Sequence, residues 1–422
     1  MLDIDYIREH ADQVQRAAEH KNFDIDVDRL LELDERRRTL IHESETIRER
    51  RNEIADAIPQ ASDEERPDLI EEGRDLKEEV AEVESELKDI QEEYRELMLA
   101  VPSVPLDEVP VGDDEPDNEV VRTYGEPPDF DFEPRDHEEL GELLDIIDKE
   151  RAIKFAGSRA YLLKGAGAML EQAVCRLAMD MLVDDGFEPV SGPVIVNESA
   201  LKGSGWFPYG REDSYHIERD DKWLVGTSEV TLVSTRADEI IDRDELPITM
   251  AAESSCFRRE AGSAGADTRG VYRVHQFKKV EQVIIAEDDA EASRELHRRL
   301  LGNAEDLMQA LELPHRVAIA CTGETGQGQV LKNEIETWMP SRDNYCETHS
   351  CSSLYDFQAR RSNIRFRGDD GDTRYCYTLN NTMVASPRIL IPLIENNQNA
   401  DGSISIPDAL QPYMYGKEVI EP

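Results

Sequence analysis

Two runs of apolar residues, spaced alternately three and four apart, dominate the first quarter of the chain. Leu30, Leu33, Leu40, Ile47 and Ile54 form the first, with Arg37, Ser44 and Arg51 at the remaining seam positions. Leu76, Val80, Val83, Leu87, Ile90, Tyr94 and Leu97 form a second, unbroken series. A heptad seam is buried against another helix. Between the two lies Ile58-Pro59-Gln60-Ala61-Ser62-Asp63, with Pro67 soon after, and proline breaks a helix. The chain therefore reads as an N-terminal antiparallel α-helical coiled-coil hairpin, roughly 40 Å long at 1.5 Å per residue. Ahead of it, residues 4–20 read as one short amphipathic helix, with Ile7, Ala11, Val14 and Ala18 on its apolar stripe.

Hairpins of this kind commonly serve as spacers or dimerisation elements, and their charges as a solvated face. This one gathers Arg36, Arg37, Arg38, Arg48, Arg50 and Arg51 in its first helix. The rest of the chain is strongly acidic: 93 Asp and Glu against 48 Lys and Arg, a net charge of −45. Arginine greatly outnumbers lysine. An acidic, lysine-poor surface suits a protein kept soluble in concentrated salt, where the Debye length falls to roughly 3 Å at 1 M and self-repulsion is screened. An acidic enzyme from ordinary surroundings is the other reading. Phosphate contacts need a basic footprint, so a nucleic-acid partner of so acidic a chain requires a local basic patch, such as the arginines of the arm, or recognition by shape.

Prolines 102, 105, 110, 116, 127, 128 and 134 interrupt an acidic stretch, which reads as an extended linker over 104–135. It divides an arm, 1–103, from a second domain, 136–422. No run of eighteen apolar residues predicts a membrane span. The start, MLDIDYIREHAD, lacks the pattern of a secretory signal. Six scattered cysteines fit free thiols in a reducing cytoplasm.

In the second domain, residues 256–284 combine an Arg-Arg-Glu triplet, a loop of small residues and an alternating run. Alternation with β-branched residues predicts a strand–loop–strand hairpin. Period two puts Val271, Arg273, His275, Phe277, Lys279 and Glu281 on one face of its second strand. An aromatic ring, cations and a carboxylate together suit a stacked purine, phosphates and an ammonium. A solvated edge hairpin is the plainer alternative.

FRREAGSAGADTRG…RVHQFKKVE resembles motif 2 of the class II aminoacyl-tRNA synthetases, in the form found in seryl-tRNA synthetases. The resemblance covers nearly the whole chain. A long helix, a strand and Pro193 resemble motif 1, the element that builds the family's homodimer interface. TLNNTMVASPRILIPLIENNQ resembles motif 3. The implied fold is α+β: an antiparallel active-site sheet flanked by helices, with the helical hairpin gripping tRNA.

The resemblance implies a serine–tRNA ligase that makes seryl-adenylate from L-serine and ATP and then charges tRNA(Ser), with tRNA(Sec) left open as a second acceptor. Arg258 and Arg388 are the expected catalytic pair. Thr227, Ser228, Glu229, Arg258, Glu281, Asn380 and Thr382 are expected around serine. Arg258, Arg259, Glu260, Phe277, Glu347, Thr348, His349, Ser350 and Arg388 are expected around ATP, with Glu347 and Ser350 at Mg²⁺. Arg37, Arg48, Arg50, Arg51 and Arg269 are expected on tRNA. Three departures stand out: Lys332-Asn333-Glu334 after an unusual TGETGQGQ, His349 where the family has Ser or Thr, and Ser386-Pro387 in motif 3. They keep two alternatives in view, a paralogue with another acceptor or a resistant isoform, and a non-catalytic RNA-binding paralogue. Cys346, His349, Cys351 and Cys376 lack a zinc spacing, so no zinc is expected.

Overall fold

The computed structural model describes residues 1–261 and 270–422. They form two compact units, one of Leu2–Val101 and one of Pro102–Pro422 with Met1.

The first unit is helical: α1 (Ile4–Glu9), α2 (Ala11–His20), α3 (Val27–Ala57) and α4 (Arg66–Ala100). The single helix expected over 4–20 is two, broken at His10, whose φ of −130° and ψ of 33° are not helical. Arg8, at the end of α1, donates from Nε to the buried carboxylate of Asp34 at 2.8 Å. Asp26 caps α3 by accepting from the Arg29 amide. Pro59 sits in a 3₁₀ turn that ends α3, and Pro67 falls in the first turn of α4, where its missing N–H costs nothing. The seam is buried as its spacing requires: Leu40, Ile47, Val80 and Val83 form a cluster flanked by Leu76, Leu87 and Ile90. Full burial of each such side chain contributes about 1.5–3 kcal/mol.

The second unit is built on an eight-stranded sheet. Its strands are β1 (Glu119–Tyr124), β2 (Glu188–Pro189), β3 (Ile248–Phe257), β4 (Gln276–Ala286), β5 (His315–Ile319), β6 (Leu331–Met339), β7 (Asn344–Tyr355) and β8 (Tyr377–Ser386). Their spatial order is β1-β5-β6-β7-β8-β4-β3-β2. Every pairing is antiparallel except the short edge strand β2, which runs parallel to β3. Helices α5 (Gly165–Asp184), α6 (Glu229–Ser234), α7 (Ala290–Ala310) and α8 (Leu390–Asn396) accompany it. Apolar side chains of α5 and α7, among them Leu170, Val174, Leu300 and Leu307, join Val280, Ile284 and Leu379 of the sheet in the main core.

The stretch expected to be a linker is stitched into this unit. Leu106 N donates to Val330 O at 2.9 Å and Thr322 N to Pro110 O at 2.9 Å. Residues 119–124 are strand β1, at the sheet edge. Proline excludes helix here, but the β-branched pair Val120-Val121 lies in a proline-free window that an edge strand accepts.

Candidate active site

The two faces of the central sheet have opposite characters because successive side chains alternate. Gln282 and Asn381 are paired across β4 and β8. Both turn to α7 and donate to the carbonyl of Leu300, at 2.9 and 2.6 Å. Their neighbours Glu281 and Thr382, also paired, belong to the other face, over which lies a cavity of about 380 Å³.

Two β-bulges decide what lines it. On β7 the register slips between Glu347 and His349, leaving Thr348 unpaired, so Glu347 lies opposite Glu336 and Ser350 opposite Glu334. Three residues apart, Glu347 and Ser350 would face opposite ways on a regular strand; the extra residue puts both at the cavity. A second slip, at Met383, places Thr382 opposite Glu281 and Ala385 opposite Lys279, so these too share the cavity side.

One end of the cavity is a dense polar floor. Glu281 is fully buried and accepts from Thr227 Oγ1 at 3.3 Å and Asn380 Nδ2 at 3.1 Å. Lys279 forms an ion pair with Glu281 and donates to Thr227 Oγ1 at 3.2 Å. Thr227 lies in the turn after Leu224, and Glu229 begins α6. Both line the cavity. Glu229 accepts from Gln358 Nε2 at 2.7 Å. Burial, and then the neighbouring Glu281 charge, raise its carboxyl to about 7.

The other end is rich in arginine and aromatic rings. The Arg258 guanidinium lies 5.3 Å from the Phe277 ring centre and 5.4 Å from that of Trp206. Glu260 pairs with Arg273 at 3.4 Å. Arg388 donates to the Glu347 carboxylate at 3.2 Å and lies 4.2 Å above the Tyr272 ring centre. Burial pushes the Glu347 carboxyl up, but Arg388, Lys332 and Arg258 outweigh it and hold its pKa below the ordinary value. Lys332 reaches Glu334 at 2.5 Å.

The expected residues thus divide. Arg258, Glu260, Phe277, Glu347, Thr348, Ser350 and Arg388 surround one end; Thr227, Glu229, Asn380 and Thr382 surround the other, with Glu281 beneath. Three side chains expected at ligands turn elsewhere. Arg259 is exposed and donates to the Glu212 carbonyl at 3.2 Å. Ser228 Oγ reaches the Ala252 carbonyl on β3 at 3.4 Å. His349 is buried behind the bulge, with Nδ1 2.8 Å from Thr348 Oγ1 and Nε2 3.1 Å from the Met383 carbonyl. Burial lowers its pKa to about 3, so its ring is neutral and structural. Arg269 lies outside the described residues.

The alternating face expected for 271–281 holds only from Phe277 onward. Strand β4 begins at Gln276, and before it Tyr272 and Val274, not Val271, Arg273 or His275, line the cavity. Tyr272, Lys332, Trp206 and Gln358 were not legible as site residues; Lys279 was, by period two from Glu281. Among the described residues no three His, Cys, Asp or Glu side chains are grouped to hold a metal by themselves.

On the arm, most of the arginine cluster is paired with acids of the hairpin. Arg48 meets Glu84 at 2.6 Å, and Arg50 meets Glu72 at 2.9 Å and Glu53 at 3.1 Å. Arg37 turns inward, 3.3 Å from Asp34 and 4.7 Å above the Tyr94 ring. These pairs flank the seam, where oppositely charged residues of neighbouring helices meet.

Comparison with known proteins agrees with both units. Residues 1–105 match the seryl-tRNA synthetase N-terminal domain, and residues 214–397 the class II tRNA synthetase core domain (G, H, P, S and T). A serine–tRNA ligase of Deinococcus radiodurans is 48% identical over 100% of this chain and 99% of its own length. The chain belongs to the seryl-tRNA synthetase family. A second family member, the serine–tRNA ligase of Rubrobacter xylanophilus, is 42% identical over 100% of this chain and 99% of its own. Among solved structures, the seryl-tRNA synthetase of Pyrococcus horikoshii complexed with ATP superimposes with a TM-score of 0.92 at 36% identity, covering 100% of both chains. Membership also accounts for the class II fold, an antiparallel sheet with one parallel edge strand, flanked by helices and accompanied by a long N-terminal helical hairpin.

Proposed function

We propose that this chain is a serine–tRNA ligase, which joins L-serine to ATP as seryl-adenylate and then transfers the seryl group to tRNA(Ser). Similarity over the full length to curated serine–tRNA ligases carries this conclusion, and the cavity supplies chemistry that suits it. The buried carboxylates fit an amino acid that brings an ammonium and a hydroxyl. The arginines at the far end fit a nucleotide with its phosphates.

In this scheme Glu229 receives the serine ammonium and Thr227 stands beside it. Glu281, Asn380 and Thr382 surround the hydroxyl. Phe277 stacks on adenine, Glu260 contacts its edge, and Arg388 packs against the base and reaches the γ-phosphate. A serine carboxylate oxygen attacks the α-phosphorus, the bond to the β-phosphate oxygen breaks, and pyrophosphate leaves. Arg258, between the substrate carboxylate and the α-phosphate, offsets the charge that builds up there. The tRNA terminal hydroxyl then attacks the seryl carbonyl carbon and AMP departs. No side-chain nucleophile enters; the enzyme acts by orientation and charge compensation.

Glu347 and Ser350 offer one carboxylate and one hydroxyl, a donor set that suits Mg²⁺ only together with water and phosphate oxygens. There it would neutralise phosphate charge and orient the leaving group. On the arm, Arg48, Arg50 and Arg51 are assigned to tRNA phosphates, while Arg37, turned onto buried Asp34, is held within the hairpin. Exposed pairs such as Arg48–Glu84 are worth about 1 kcal/mol or less, so a phosphate can displace the glutamate. Phe155 and Ile153, 77% and 48% exposed, are apolar surface that a homodimer would cover. The six cysteines are free, in keeping with a cytoplasmic enzyme. Among the described residues no helix is long and apolar enough to cross a membrane.

The direct test is serine-dependent ATP–pyrophosphate exchange in molar KCl, followed by charging of tRNA(Ser) in the same preparation. Exchange with charging is expected. Exchange alone would mean a different acceptor, and neither would mean an RNA-binding relic.

A further inference from the structure

Tyr272 stands outside every role given so far, yet it touches both partners at the phosphate end of the cavity. Its hydroxyl donates to the backbone carbonyl of Glu347 at 3.0 Å. Its ring carries the Arg388 guanidinium 4.2 Å from its centre and that of Arg342 at 4.1 Å. We propose that Tyr272 is a positioning residue for serine activation, whose ring fixes the plane of the Arg388 guanidinium against the nucleotide. The proposal rests on the assignment of this end of the cavity to ATP.

The physical need is specific. A free arginine side chain samples many rotamers, worth about 2 kcal/mol of entropy, and stacking on adenine requires one orientation. Besides the ring, Arg388 donates to the Glu347 carboxylate at 3.2 Å and to the Glu347 backbone carbonyl at 3.3 Å. That carboxylate is the one assigned to Mg²⁺, which would compete with Arg388 for it. The ring does not change partners. It holds a guanidinium by its π-face, and its own hydroxyl is tied to the backbone of the strand that carries Glu347. Tyr272 therefore refers Arg388 and Glu347 to one fixed point, before and after substrate binds. Arg342, at the turn following β6, lies against the same ring.

The test compares the wild-type enzyme with Tyr272→Phe and Tyr272→Leu in serine-dependent ATP–pyrophosphate exchange. The leucine variant is expected to raise KM for ATP about tenfold, equivalent to about 1.4 kcal/mol and within the range of a partly desolvated cation–π contact. Its KM for serine should stay within about twofold. The phenylalanine variant keeps the ring and should restore KM for ATP to within about threefold of wild type. If the leucine variant does not fold, Tyr272→Met fills a similar volume without a ring and replaces it. An unchanged KM for ATP in the ringless variants would overturn the inference. So would equal rises in both KM values, or a phenylalanine variant as impaired as the leucine one. Absence of exchange in the wild-type enzyme would instead overturn the assignment of the cavity, and the inference with it.

Discussion

Glu229 offers a prediction in which the protein's electrostatics set the number. Burial first, and next the charge of Glu281, push its carboxyl up to about 7. The serine ammonium is the charge that this carboxylate is assigned to receive. Lowering the pH protonates Glu229, removes the attraction and forces serine binding to expel a proton. With a pKa near 7, about ten in eleven empty sites are protonated at pH 6 and about one in eleven at pH 8. Apparent serine affinity then differs about tenfold between the two, weaker at pH 6. The serine amino group stays protonated across this window and adds no slope of its own.

Folding stability responds to the same titration in the opposite direction. A carboxyl whose folded pKa lies above its unfolded value of about 4.5 favours the fold only while protonated. Its contribution is therefore lost as the pH rises from about 4.5 to about 7. The assay is KM for serine in pyrophosphate exchange, measured from pH 6 to 8 at saturating ATP, with Glu229→Gln as comparison. Glutamine keeps the contact with Gln358 but cannot titrate, so its serine KM should be higher and flat. Glu334, whose carboxyl burial also raises to about 7, pairs with Lys332 at the nucleotide end and should shift KM for ATP instead. A flat serine KM in the wild-type enzyme, or the same slope in Glu229→Gln, would refute the assignment.

Thr382→Val should leave ATP binding intact and reduce preference for serine over alanine by about two- to tenfold, the worth of one net hydrogen bond; unchanged selectivity in exchange assays would remove Thr382 from the hydroxyl site. Replacing Arg48, Arg50 and Arg51 together by alanine should raise KM for tRNA in the charging assay while exchange stays at the wild-type rate, whereas equal loss of both would make the cluster structural. With a net charge of −45, the chain should melt at a higher temperature and react faster in molar KCl than in dilute buffer. The reverse order in circular dichroism melts and exchange rates would mean that self-repulsion is not what salt relieves here.

What could be read in advance follows how local the signal is. The hairpin was legible because Leu40, Ile47, Val80 and Val83 repeat at a helical period over many turns, and no other burial satisfies such a stripe. The break at His10 was not, since the apolar stripe of residues 4–20 runs through it; Asp34, which Arg8 meets, lies on another helix. Strand β1 was hidden by the prolines around it.

The active site was legible in its residue types and less so in their directions. Period two placed Phe277, Lys279 and Glu281 together correctly because β4 is regular there. It failed for 271–275, which precede the strand, and so it passed over Tyr272. The bulge at Thr348 is the more instructive case. Counting by two sends Glu347 and Ser350 to opposite faces of a strand, so their spacing of three makes geometric sense only if one residue between them is extruded from the ladder. Once Thr348 is extruded, His349 must take the face opposite Glu347 and Ser350, under the Met383 carbonyl and away from any ligand. The histidine there then bears on how β7 packs against β8. Exchanging it for serine should change the melting temperature while leaving KM for ATP where it was.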